Sequence, residues 1–102
     1  MLARSEDRMP LYAMLGWDGP DGAALRKLHR RAHLEGLERL AAAGRIRHAG
    51  PLLDAAGVPL GSLVIFAADD LASAQPPAAR APYVVEGVFA RHEVHETKVV
   101  LP

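Results

Sequence analysis

The chain has 102 residues, with 12 Lys and Arg against 12 Asp and Glu, so its formal net charge at neutral pH is zero. This balance argues against a dedicated nucleic-acid binder, which usually carries a basic stripe or a net basic charge. Half of the residues are hydrophobic, which is enough for a packed core. Cysteine is absent, which excludes a disulfide framework, a thiolate metal site and a cysteine nucleophile.

The first eight residues are polar and lack the apolar segment of an export signal. We therefore predict that residues 1–8 form a flexible extension and that residues 9–102 form a single domain. No apolar run approaches the roughly 20 residues that a membrane helix needs. We expect no membrane association and a cytoplasmic location.

The first two predicted elements are a strand and a long helix. The apolar run from Leu11 to Gly16 predicts a buried strand. A turn-rich segment then leads to a helix that is predicted to start at Asp21 or Gly22 and to run to Ala43. Gly44 should end this helix, because glycine readily adopts the left-handed conformation found after helix ends.

A helical wheel gives this helix an apolar stripe and a charged side. The stripe holds Leu25, Leu28, Ala32, Gly36 and Leu40, and the charged side holds Lys27, Arg31, Glu35, Glu38 and Arg39. His29 and His33 lie on or beside the stripe. Two imidazoles four residues apart can bind a metal, but the sequence places no third ligand beside them. We therefore predict neither a metal nor a cofactor.

The second half of the chain predicts two strands, a helix and a final strand. Ile46–Leu53 and Gly61–Ala67 should pair as an antiparallel hairpin, because the segment between them is short and rich in turn residues. A second helix follows residue 70, and Pro76-Pro77 should shorten, kink or restart it, since proline costs about 3 kcal/mol inside a helix. An extended stretch from about Val84 to Val100 ends the chain.

The element order is strand, helix, strand, strand, helix, strand, which is the ferredoxin-like split βαβ arrangement. It predicts an α+β fold with a four-stranded antiparallel sheet and both helices on one face. The other face of the sheet would then be bare. A bare apolar face tends to be covered by a partner, so we expect a homodimer that resembles a dimeric α/β barrel.

From about residue 9 to residue 102 the sequence resembles the YCII-related family of small single-domain proteins. The matching motifs occur in the family's order and spacing. They are Leu11-Tyr12-Ala13, Arg30-Arg31-Ala32-His33-Leu34, Gly44-Arg45-Ile46, Ala49-Gly50-Pro51, Gly61-Ser62-Leu63-Val64-Ile65, Pro82-Tyr83-Val84 and Glu86-Gly87-Val88-Phe89.

The resemblance implies a ferredoxin-like dimer with a pocket in which a helix histidine meets an aspartate just before the Pro-Tyr pair. It also implies a nearby hydroxyl from the Gly-Ser strand, and one branch of the family resembles a dehydrochlorinase acting on a chlorinated hydroxyquinol. This chain has Ala81 where the family has that aspartate. Asp18, Asp21, Glu86 and Glu93 are the carboxylates that we consider as replacements.

His33 is the predicted catalytic residue, because an imidazole can take or give a proton near neutral pH. Without its aspartate and partly buried, His33 should be neutral at pH 7. For substrate binding we consider Arg30, Ser62, Tyr83 and His48. Arg30 would bind an acidic group, Ser62 would donate a hydrogen bond, and Tyr83 and His48 would line the pocket. Arg30 could instead solvate the helix, and Ser62 could cap a local backbone group.

Two hypotheses for the function follow. The first is a small-molecule enzyme, a lyase or dehydrochlorinase, that uses His33 as general acid/base on an acidic or phenolic ligand. The second is a non-catalytic binding or accessory domain that has lost its His-Asp dyad. They differ in whether another carboxylate approaches His33.

Overall fold

The fold is a four-stranded antiparallel sheet with helices packed on one face. It is described from a computed structural model, which covers residues 9–101; the predicted extension at residues 1–8 lies outside them. The strands follow the order β2-β3-β1-β4 across the sheet, which confirms the predicted split βαβ arrangement. The elements are β1 (Leu11–Asp18), α1 (Gly22–Ala42), β2 (Ile46–Leu53), β3 (Pro59–Ala67), α2 (Leu71–Ala79), α3 (Pro82–Val85) and β4 (Phe89–Thr97).

The register of the strands separates the side chains into two faces. Met14 of β1 aligns with Val64 of β3 and with Val94 of β4. Because side chains alternate along a strand, the residues in step with Met14 all point to the helices. This helix face supplies the centre of the core, which also includes Ala74, Ala78, Tyr83, Val88 and Phe89 from beyond β3. No helix among residues 9–101 is long and apolar enough to cross a membrane.

The opposite surface of the sheet, which we call the open face, carries no helix. Its apolar side chains are only partly buried and come from three neighbouring strands. They are Leu11, Ala13, Leu15, Leu52, Leu63 and Ile65. A continuous half-buried apolar face of this kind is unusual on a surface that stays exposed to water.

Helix α1 ends close to its predicted boundary, and Gly44 adopts the expected left-handed conformation with φ of 73°. The predicted apolar stripe is wrong at two positions, because Leu28 is 72% exposed and Ala32 is also exposed. The face directed at the sheet is rotated relative to the predicted stripe. It runs from the buried Gly22 through Arg26 to His33, so polar side chains occupy much of the contact with the sheet.

Pro76 and Pro77 do not restart helix α2, which continues from Leu71 to Ala79. Asp70 caps its first turn, since the carboxylate accepts a hydrogen bond from the Ser73 N–H at 2.8 Å. The two prolines remove the donors for the carbonyls of Ala72 and Ser73. Both of these residues are exposed, so water can hydrate the carbonyls and the helix stays short but unbroken.

The last strand begins later than predicted. Val84 belongs to the one-turn helix α3, which starts with Pro82 at a position where the missing N–H is not needed. Gly87, with φ of 76°, then reverses the chain into β4 at Phe89. The consequence is that Tyr83 is carried on a helical turn and points under helix α1.

Candidate functional site

A largely buried ion pair joins the end of strand β1 to the first turns of helix α1. Arg26 donates from Nε to Asp18 Oδ2 at 2.7 Å and from Nη2 to Asp18 Oδ1 at 2.8 Å. The same Nη2 also donates to the Gly61 carbonyl at 2.9 Å and to the Ser62 hydroxyl at 3.0 Å. The guanidinium therefore connects β1, α1 and β3, and its charge is matched by one carboxylate in a two-bond geometry.

Two local features bring the Asp18 carboxylate to this position. The pairing of β1 with β4 shifts register between Trp17 and Asp18, which redirects the end of the strand. At the start of α1, a β-carbon on Gly22 would lie 2.7 Å from Asp18 Oδ2. Glycine at position 22 thus allows the carboxylate to approach the helix. The side chains of Arg26 and Asp18 are only 14% and 9% exposed.

Tyr83 lies at the centre of an aromatic and cationic stack. Its ring is parallel to that of His33, with centroids 3.8 Å apart and an interplanar angle of 6°. The Arg26 guanidinium carbon lies 5.2 Å from the Tyr83 centroid, and Phe89 meets the ring edge-on at 5.9 Å. The Tyr83 hydroxyl donates to the Arg26 carbonyl at 3.3 Å. The tyrosine is 3% exposed and fixes the plane of the histidine ring.

His33 is a neutral imidazole at pH 7. Burial, followed by the nearby charges of Arg26 and Arg30, lowers the pKa of His33 from its usual 6.5 to about 4. Among residues 9–101, no group hydrogen-bonds to either of its ring nitrogens. Its nitrogens are therefore available to a ligand.

None of the four carboxylates that we considered pairs with His33. Asp18 is held by Arg26, and Asp21 is an exposed residue at the start of α1. Glu86 lies 3.7 Å from His29, and Glu93 lies 3.2 Å from His95 on the open face. Within the described part of the chain, the orientation of His33 thus comes from stacking on Tyr83 and not from a carboxylate.

A cleft of about 390 Å³ opens beside His33, between α1 and the β2–β3 hairpin. We call it the basic cleft, because its charged lining residues are Arg26, Lys27 and Arg30, with no carboxylate. Ser62, Tyr83 and His33 also line it, along with Ala49, Gly50, Pro51, Val58 and Pro59. Of the five residues that we predicted, the structure brings four together here: His33, Arg30, Ser62 and Tyr83.

The hydroxyl of Ser62 has a defined role within this cleft. Ser62 is 3% exposed, and its oxygen accepts a hydrogen bond from Arg26. The hydroxyl proton is then left to be donated elsewhere. The local backbone capping that we considered for Ser62 is replaced by this contact with Arg26.

His48 does not share this cleft. It pairs with Ile65 across the β2–β3 ladder and therefore lies on the open face. The turn expected at Gly50-Pro51 is absent, since both residues continue strand β2. A register shift between Ile46 and His48 determines which face the His48 side chain takes. His29 lies against Glu86, and no cluster of three metal-ligating side chains exists among residues 9–101.

A second cavity adjoins the cleft on the other side of His33, with a volume of about 280 Å³. We call it the apolar chamber. Met14, Val64 and Phe66 of the sheet form its floor, and Ala81 lies in its wall. Position 81 therefore borders the same cavity as His33. The remaining lining residues are Gly36, Leu37, Arg39, Leu40, Pro77, Ala78, Arg80 and Pro82.

Arg26 is the main site residue that sequence reasoning missed. On the helical wheel it lies three residues before His29 and seven before His33, so it shares their face. A charged residue on the face of a helix that meets the sheet needs a buried partner. That requirement, combined with Asp18 at the end of the preceding strand, is the signal that could have identified the pair.

Comparison with known proteins agrees with this architecture. The profile of the YCII-related domain matches residues 10–98. The chain belongs to the YCII-related domain family. Among solved structures it is similar to 5-chloro-2-hydroxyhydroquinone dehydrochlorinase from Burkholderia phenoliruptrix AC1100, in complex with 2,5-dihydroxybenzoquinone. The match has 28% sequence identity and a TM-score of 0.76, and covers 86% of this chain and 93% of that chain. No curated protein sequence matches the chain.

The first prediction for this YCII-related protein concerns the buried ion pair. Replacing Asp18→Asn leaves the Arg26 cation buried without a counter-charge, and we expect a loss of about 3 kcal/mol in the free energy of unfolding. The control is Glu35→Gln, which removes an exposed pair with Arg31 and should cost less than about 0.5 kcal/mol. Urea denaturation measures the free energy of unfolding of both variants. Equal effects for the two variants would contradict the structural role of Asp18.

The second prediction concerns the pKa of His33, measured by NMR titration of the ring. The pKa should lie near 4, and Arg30→Gln should raise it because a neighbouring positive charge is removed. Ala81→Asp should also raise it, since an added carboxylate favours the imidazolium. In the unfolded chain His33 binds a proton near pH 6.5, so its contribution to stability is complete above that pH and is lost as the pH falls toward 4. A pKa that Ala81→Asp leaves unchanged would mean that position 81 does not face His33.

Proposed function

We propose that the protein is a small-molecule enzyme that binds an acidic or phenolic ligand in the basic cleft and uses His33 as general acid/base. The observation that supports this most directly is the neutral His33, stacked on Tyr83 beside a cleft whose charged lining residues are all cations. An anion is attracted to Lys27 and Arg30, and the Ser62 hydroxyl can donate to one of its oxygens.

The ligand itself would bring His33 closer to its working range. An imidazole with a pKa near 4 is a weak base at pH 7. A bound anion offsets the charges of Arg26 and Arg30, and therefore raises the pKa of the histidine that it contacts. His33 becomes a better proton acceptor only when the cleft is occupied.

The reaction class that we propose is lyase chemistry of the dehydrochlorinase type. In a chlorinated hydroxyquinol, the ring first takes its keto form, in which a proton moves from one O–H to the carbon that carries the chlorine. The C–Cl bond then breaks, chloride leaves with the bonding electrons, and a second O–H loses its proton to give a hydroxyquinone. Neutral His33 can accept that proton and pass it to water. The similarity to a dehydrochlorinase supports this class of reaction, and the substrate-sized cleft is compatible with an aromatic ring.

A second candidate is a binding or accessory domain without catalysis. Ala81 and the absence of a carboxylate on His33 within residues 9–101 favour it, because the His-Asp pair implied by the family resemblance is incomplete. Such a protein would keep the basic cleft and bind the same class of anion.

Chloride release from 5-chloro-2-hydroxyhydroquinone distinguishes these two candidates. For an enzyme we expect turnover that falls on the order of 100-fold in His33→Gln, because a general acid/base is removed. The control is His92→Gln, on an exposed histidine of β4 outside the basic cleft. Binding of 2,5-dihydroxybenzoquinone without turnover, together with turnover gained by Ala81→Asp, favours the binding domain. A protein that neither binds the quinone nor turns over the chlorinated substrate would contradict both candidates.

We also propose that two chains associate through the open face. Its half-buried apolar side chains on β1, β2 and β3 support this, since isolated proteins seldom expose such a surface. Light scattering at tens of micromolar should return twice the chain mass of 10.9 kDa. Leu15→Lys should give the single-chain mass, whereas Leu28→Lys, on the exposed side of α1, should not. A single-chain mass for the unmodified protein would overturn the proposal.

A further inference from the structure

The apolar chamber and the basic cleft are adjacent, and His33, Leu37 and Val64 line both of them. We propose that the ligand is an anion with an apolar substituent, whose charged part lies in the basic cleft and whose substituent fills the apolar chamber. This rests on the proposed function and adds to it a class of ligand. A small hydroxyquinone ring alone would leave the chamber empty.

Gly36 is the first observation that points to an occupant. It lies in the interior of α1, where glycine costs roughly 0.5–1 kcal/mol relative to alanine. The fold does not require glycine there, because an added β-carbon would have only ordinary contacts, with Pro82 Cδ at 3.9 Å and Arg39 Nη2 at 4.0 Å. What glycine provides at this position is room in the chamber that the helix borders.

The charges around the two cavities are the second observation. The chain as a whole has equal numbers of acidic and basic residues, yet no carboxylate lines either cavity. Lys27 and Arg30 border the cleft, and Arg39 and Arg80 are exposed at the chamber. Among residues 9–101 none of these four cations has an ion-pair partner. This arrangement complements an anion whose apolar portion is shielded from water.

Ala81 is the third observation. It contributes only a methyl group to the chamber wall beside His33. A carboxylate at this position would lie beside the apolar floor of Met14, Val64 and Phe66, and an apolar substituent in the chamber would have to desolvate it. Ala81, in place of the aspartate that the family resemblance implies, therefore leaves the chamber suited to an apolar substituent.

The test uses calorimetric titration of the full chain with 2,5-dihydroxybenzoquinone and with its 3-methyl, 3-propyl and 3-pentyl derivatives. The affinity should increase with the length of the alkyl group, by up to roughly fourfold for each methylene that is buried in the chamber. In Gly36→Leu the added side chain occupies the chamber. The parent quinone should then bind as before, while the gain from the alkyl group should disappear.

Three further variants control for folding and for the site of action. Gly36→Ala should fold with higher thermal stability and keep most of the gain, because its β-carbon fits. Ala81→Leu narrows the chamber from the opposite wall and replaces Gly36→Leu if that variant fails to fold. Ala41→Leu adds the same side chain to an exposed position of α1 and should change nothing.

Each outcome bears on the proposal in one direction. The chamber proposal is overturned, while the proposed function stands, if the parent quinone binds but the length of the alkyl group does not change the affinity. The same holds if the gain in affinity from the alkyl group persists in both Gly36→Leu and Ala81→Leu. If no quinone binds, the proposed function falls, and straight-chain carboxylates from butanoate to decanoate decide about the chamber. If the affinity increases with the length of the carboxylate and this increase is lost in Gly36→Leu, the chamber proposal is supported. If the affinity does not depend on the length of the carboxylate, the chamber proposal is overturned.

Discussion

The Arg26 guanidinium is the group on which the rest of the site depends. It is bound by Asp18 at the end of β1, by the carbonyl of Gly61 and by the hydroxyl of Ser62 in β3, and it lies over the ring of Tyr83. A single planar cation thus sets the distance between helix α1 and the sheet. The bidentate carboxylate offsets the cost of burying it, which a single hydrogen bond to a neutral group would not do.

The same cation also contributes to the lowered pKa of its neighbour, His33. In the histidine–aspartate arrangement implied by the family resemblance, a carboxylate raises the basicity of the imidazole. Here burial is the largest cause of the lowered pKa of His33, and the nearest charges, on Arg26 and Arg30, act in the same direction. His33 is consequently held flat by Tyr83 and kept neutral by its surroundings. Stacking on Tyr83 sets the orientation of His33, whereas burial first, and the neighbouring cations second, set its protonation state.

Local sequence signals were sufficient for most of the fold. Glycine and other turn-forming residues next to each element predict the bounds of β2 and the end of α1. The family resemblance predicts that His33, Ser62 and Tyr83 share one pocket. The failures have non-local causes. The face of His48 depends on a register shift, and the burial of Arg26 depends on a carboxylate eight residues earlier in another element. Leu28 lies on the predicted apolar stripe but is exposed, because a helical wheel does not show that Arg26 directs another face of the helix to the sheet.

The side chains of the basic cleft differ in the hydrogen bonds that they can donate and accept. Lys27 and Arg30 can only donate, whereas Ser62, which already accepts from Arg26, keeps its proton and one lone pair. Neutral His33 adds one N–H donor and one lone pair. These side chains therefore offer a ligand more donors than acceptors. For a compound that exchanges between keto and enol tautomers, such a set is a better match for carbonyl oxygens than for hydroxyl groups.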